Sequence, residues 1–129
     1  MIQNDIAFSK AEDKISQYAS EYISFQSHSY DMHKAGGTIG HGGVISAMSE
    51  QEIIDDLSKA QEIVQNSEAF AYPFGDVTDE GQAAVKETDI LCAFTTNYGK
   101  VKVGDDLTYL SRIRVIGEAS LSNFIASIN

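Results

Sequence analysis

The 129-residue sequence predicts an α/β fold with mostly parallel strands alternating with helices. Two observations carry this. Segments with capping signals and helical periodicity alternate with short apolar, β-branched or aromatic runs, the pattern of strand–helix–strand units. Turn-forming residues then cluster directly after those runs, where a parallel sheet, open or rolled into a barrel, places the loops that form sites.

Ser9, Lys10, Ala11 and Glu12 form a capping box, which predicts a helix over about residues 10–20 with Ile15 and Tyr18 on one face. Tyr22 to Gln26 is a compact aromatic and β-branched run, predicted as a strand. Residues 27–48 carry all three histidines together with Gly36, Gly37, Gly40, Gly42 and Gly43. Regular structure is disfavoured there, and a loop of this length is functional or mobile. Ser49 to Glu52 is a second capping box, opening a helix to about residue 65 whose buried stripe is Ile53, Ile54, Leu57, Ala60, Ile63 and Val64.

Residues 69–72 read as a strand stopped by Pro73 and Gly75, and Thr78 or Asp79 caps a helix through Lys86. A strongly apolar strand over 90–95 follows, then a turn at Asn97, Tyr98 and Gly99, a short strand over 100–103 and another over 110–116. Ser120 caps a last short helix with Leu121, Phe124, Ile125 and Ile128 turned inward.

A chain of this length supports one domain, 1–129, with a hydrophobic core. Nineteen acids against nine bases give a net charge of −10, which argues against nucleic acid and anionic membrane, since both need clustered Lys and Arg. No apolar run can span a bilayer. The opening residues carry no signal-peptide pattern, so the expected location is cytoplasmic. The single cysteine, Cys92, excludes an internal disulfide and reads as a buried, inert thiol between Leu91 and Ala93.

His28 leaves the end of a predicted strand and His33 follows five residues later in a turn-prone segment. Neutral imidazoles are good zinc ligands, and a short loop can fold two toward one ion; they equally serve as surface or hydrogen-bonded residues. Asp31 between them is either a third ligand or a turn-forming residue that orients an imidazole. His41 reads as a solvated loop residue. Residues 70–75, Phe-Ala-Tyr-Pro-Phe-Gly, are either a strand end with aromatic packing or a rigid rim whose amides polarise a carbonyl. Pro73 cannot donate, so Phe74 and Gly75 are the candidate donors.

The run Phe-Gln-Ser-His-Ser-Tyr-Asp-Met-His at 25–33, a Gly-rich segment, an acidic helix and Phe-Ala-Tyr-Pro-Phe-Gly resemble the polysaccharide deacetylase family, the NodB-homology group or carbohydrate esterase family 4. The segments at 93–96 and 110–115 resemble its closing portion, so the resemblance covers about residues 22–125. It implies a partial or distorted (β/α) barrel of the NodB-homology type and metal-dependent hydrolysis of N-acetyl groups on N-acetylglucosamine-type polymers. His28 and His33 match two ligands of a divalent metal, commonly zinc. Phe74 falls where the family has a tyrosine whose amide stabilises the oxyanion, and Tyr72 and Pro73 match the groove around it.

The departures are specific. The family's Thr-Phe-Asp-Asp-Gly motif, source of the catalytic base and third ligand, has no counterpart; Asp5 and Asp13 lie in other contexts. Ala71 replaces an arginine, and no histidine follows His41. The sequence thus resembles the family's second half. Weak metal binding and negligible turnover by the isolated chain follow, with a homodimer or a complementary N-terminal fragment as the expected partner and an N-acetylated polysaccharide as the ligand. The alternatives are a non-catalytic carbohydrate- or metal-binding module, or a truncated gene product. Many family members act at the cell surface or are secreted, in contrast to the location read from this sequence.

Overall fold

The computed structural model describes residues 5–65 and 68–128, with side chains from Lys10 onward. Four helices, α1 (Asp5–Tyr18), α2 (Glu50–Val64), α3 (Asp79–Lys86) and α4 (Leu121–Ile128), accompany three strands, β1 (Ala69–Ala71), β2 (Cys92–Tyr98) and β3 (Leu110–Arg112). The strands form one sheet in the order β1-β2-β3, with both pairings parallel. The predicted α/β class with parallel strands is therefore observed. Among the described residues the sheet stays open and does not close into a barrel. No described helix is long and apolar enough to cross a membrane.

The second capping box forms as predicted. Ser49 accepts from the Glu52 amide while the Glu52 carboxylate accepts from the Ser49 amide. This satisfies two of the free donors at the start of α2. Ile53, Leu57 and Ala60 are buried on one face of α2, and Ile54, Ile63 and Val64 are half-buried around them. Thr78, the N-cap of α3, accepts from the Gly81 amide at 3.0 Å. Both helices pack on the sheet face that carries Phe70, Tyr72 and Ala93, and Met32, Ile45, Ala84, Val85 and Ile90 complete that core. On the opposite face, Ala69, Ala71, Cys92 and Phe94 are half-buried. The Cys92 thiol is pushed up by burial and by the nearby Glu68 carboxylate, which favours the unreactive protonated form.

Several expectations are corrected. Helix α1 begins at Asp5, so Ser9 lies inside it and is not its N-cap. The strand expected over 22–26 does not form: Ile23 makes an isolated antiparallel bridge with Ser20, and the following Ser27 an isolated parallel bridge with Phe70. Strand β2 continues through Asn97 and Tyr98, where a turn was expected. The segment 100–103 is not a strand; the Lys102 amide instead donates to Asp105 in a local turn. The strand expected over 110–116 ends at Arg112. Ser120 does accept from the Asn123 amide, but no residue of α4 is buried. Amphipathic spacing gave that helix an inward face, yet Leu121, Phe124, Ile125 and Ile128 all stay exposed.

Candidate functional site

Ser27 is the last residue tied to the sheet. Its amide donates to the Ala69 carbonyl, and its own carbonyl accepts from the Ala71 amide. His28 therefore emerges at the C-terminal side of β1, at the edge where parallel sheets hold their sites. Its Nδ1 lies 2.7 Å from the Ala71 carbonyl. Because a carbonyl only accepts, that nitrogen carries the proton and Nε2 keeps its lone pair. Burial lowers the imidazole below its usual range, His33 and Arg112 add to this, and the Ala71 hydrogen bond opposes it. The neutral, ligand-competent form is favoured.

The segment between the histidines is held at three points. Met32 is fully buried in the core and drives the loop inward like an anchor. The Met32 amide donates to the Ser29 hydroxyl at 3.2 Å, and Ser29 takes a positive φ of 78°. On α2, the Asp56 carboxylate accepts from the amides of Tyr30 and Asp31, each at 2.8 Å. The Asp31 side chain turns away to pair with Lys34 at 2.6 Å, so it acts in the turn and is not directed at the imidazoles.

These restraints bring His28 and His33 edge to face, with ring centroids 4.8 Å apart. Phe74 joins them across the fold, its ring 4.4 Å from that of His33. It sits in a single 3₁₀ turn, Pro73–Gly75, with φ 59° at Phe74 and 78° at Gly75. A Cβ at Gly75 would fall 2.2 Å from the Thr96 hydroxyl, so only glycine lets the turn sit against β2. Among the described residues the Phe74 amide has no hydrogen-bond partner, and it is the first amide after a proline that has none.

Of the predicted site residues, His28, His33 and Phe74 come together. Tyr72 does not join them: it is 1% exposed, with its hydroxyl donating to the Thr108 carbonyl at 3.0 Å. Pro73 is buried and shapes the turn. His41 is solvent-facing as expected, with a side chain 69% exposed, yet it is not free: its amide and ring both meet the buried Asp76. The Gly-rich segment carrying it is organised by an Ala35–Gly43 bridge. Sequence reasoning missed Asp56 and Asp76. The signal for Asp56 was available, since an acid three residues after Ile53 sits inside the apolar stripe of α2.

A cavity of about 290 Å³ adjoins the histidines, walled by Ala11, Ile15, Ile63 and Val64 on its helical side. Two nitrogens are two of the three protein ligands that a catalytic zinc takes. Among the described residues no group of three or more His, Cys, Asp or Glu stands close enough to hold an ion. His28 and His33 are thus the residues that could hold an ion, and they make up only part of a ligand set.

At one edge of the parallel sheet the paired histidines thus stand beside the aromatic turn. No family model matches the sequence, and no curated protein matches it. Solved structures do share the fold. The Streptococcus pyogenes deacetylase PplD, in complex with acetate, matches with a TM-score of 0.70 at 20% identity, over 95% of this chain and 50% of that one. BC0361, a polysaccharide deacetylase from Bacillus cereus, gives 0.66 at 23% identity, over 95% and 36%. A de-N-acetylase from Aggregatibacter actinomycetemcomitans gives 0.62 at 15% identity, over 93% and 52%. The chain spans half or less of the length of the first two.

Proposed function

We propose that this chain is the second half of a metal-dependent de-N-acetylase domain acting on N-acetylated polysaccharide, part of a (β/α) barrel of the NodB-homology type. His28 and His33 supply two ligands to a divalent metal, zinc by its preference for imidazole, and Phe74 offers its amide to the oxyanion of the attacked acetamide. The observation that carries this reading is the meeting of His28, His33 and Phe74 at one edge of a parallel sheet. When bound, the metal would polarise the carbonyl and activate water. The amide at 74, with no other partner, is available to a developing negative charge.

The chain alone does not turn over. Among the described residues no carboxylate joins the two histidines in a metal-holding group, and a positioned base contributes roughly 10²–10⁴ in rate. The complement is a further polypeptide segment that supplies the absent strands. The open edge supports this: Ser27 directs both of its backbone groups to β1. The peptide groups of Gln26 and His28 on the other side have no partner among the described residues, which leaves an edge that a strand can join.

Calorimetry with zinc tests the reading. The wild type should bind weakly, and His28→Ala or His33→Ala should abolish the heat. Identical titrations for all three proteins would sink the metal assignment, and ready acetate release from chitin oligomers by the pure chain would overturn its inactivity.

A further inference from the structure

Asp76 has a place in the fold that the proposed chemistry does not use. It directly follows the Pro73–Gly75 turn and is 4% exposed. One carboxylate oxygen accepts from the His41 amide at 2.7 Å and the other from the Gly43 amide at 2.8 Å. The His41 ring lies 3.2 Å from the first oxygen. The carboxylate thus reaches out of the aromatic turn and takes hold of the Gly-rich loop by its backbone.

That loop leads straight back to His33. Gly43 bridges Ala35, and the Val44 amide donates to the Lys34 carbonyl at 2.9 Å. It also meets Phe74: a Cβ at Gly43 would lie 2.9 Å from the Phe74 ring and 2.9 Å from an Asp76 oxygen. The approach is closest at Gly40, where a Cβ would fall 2.0 Å from Asp76 Oδ1, on a backbone with φ +56°. Both glycines are therefore required by the grip itself. The Phe74 ring thus meets both Gly43 and His33.

We infer that Asp76 is a positioning residue, a clamp that joins the aromatic turn to the loop behind His33 and so sets Phe74 against the His33 ring. The clamp works through the amides of residues 41 and 43; the exposed His41 imidazole is dispensable. A buried carboxylate is costly unless its oxygens are satisfied, and charge-assisted bonds to two loop amides satisfy them. The significance of the clamp for acetamide hydrolysis rests on the function proposed above, but the geometry it sets exists without metal or substrate.

The test is therefore made on the metal-free protein, by nuclear Overhauser contacts between the ring protons of Phe74 and His33. The wild type should show them. Asp76→Asn puts an NH2 group against one of the two amides, and Gly40→Ala displaces the carboxylate while keeping it. Both should lose most of the contact intensity. His41→Ala should retain it, and so should Leu57→Ala, which destabilises the core without touching the clamp. Should Asp76→Asn fail to fold, Gly40→Ala alone decides. Intact contacts in the folded clamp variants would overturn the inference, as would equal loss in His41→Ala or Leu57→Ala. Failure of zinc to bind the wild type would count against the proposed function and leave this result standing.

Discussion

Replacing Asp56 by asparagine tests how α2 holds the histidine loop. In the wild type each carboxylate oxygen takes one loop amide, Tyr30 on Oδ1 and Asp31 on Oδ2, both at 2.8 Å, and the residue is 8% exposed. Asparagine keeps one acceptor and sets its NH2 group against the second amide. A hydrogen bond to a charged group is worth about 1.5–3 kcal/mol. Part of that loss is offset, because the substitution also removes a buried charge. Burial raises the Asp56 carboxyl above the usual range, and the Tyr30 and Asp31 amides oppose this without overcoming it.

The net cost at neutral pH should be about 1–2 kcal/mol, read as a lower urea midpoint with the slope unchanged. The pH dependence has a definite sign. A carboxyl with a raised folded pKa binds its proton more tightly in the folded state, so the wild type loses stability as pH rises from the unfolded value to the raised one. The asparagine of the Asp56→Asn variant does not titrate. The difference between the two proteins should therefore be larger at acid pH and shrink to its plateau above the window. The amide signals of Tyr30 and Asp31 should shift as well. An unchanged midpoint with unmoved signals at 30 and 31 would refute the proposed tether.

Two smaller predictions accompany it. Tyr72→Phe removes the bond to the Thr108 carbonyl and leaves that acceptor buried, so it should cost about 1–3 kcal/mol. Denaturation measures this, and zinc binding should be unaffected because the ring lies in the core. His28, held neutral chiefly by burial, should titrate by NMR with a midpoint below that of a free histidine. A normal or raised midpoint would contradict its burial beside His33 and Arg112.

Local chemistry made much of the fold legible in the sequence. The capping box at Ser49, the α3 cap and the apolar stripe of α2 need only neighbouring residues: the box forms as read, Thr78 is the one of the two candidate caps that forms, and the stripe is buried at Ile53, Leu57 and Ala60. The Ser9 box failed because a serine and a glutamate three apart also fit within a longer helix. The segments over 22–26 and 100–103 have strand composition, but pairing requires a partner in register, and for most of their length none stands beside them among the described residues. The α4 stripe is likewise correct in its periodicity and wrong in its burial, since a face becomes inward only when another element covers it.

For the site, the sequence by itself singled out the candidate groups: two histidines in one loop, and a proline turn whose next residue offers an amide. Only the tertiary structure decided their company. It brought Phe74 to His33 across some forty residues of chain, turned Tyr72 into the core and Asp31 toward Lys34, and placed two buried aspartates under backbone amides. The physical reason is range. Caps and periodicity act within one or two turns of chain, whereas the geometry of this site is set by buried carboxylates and close glycine contacts between segments far apart in sequence.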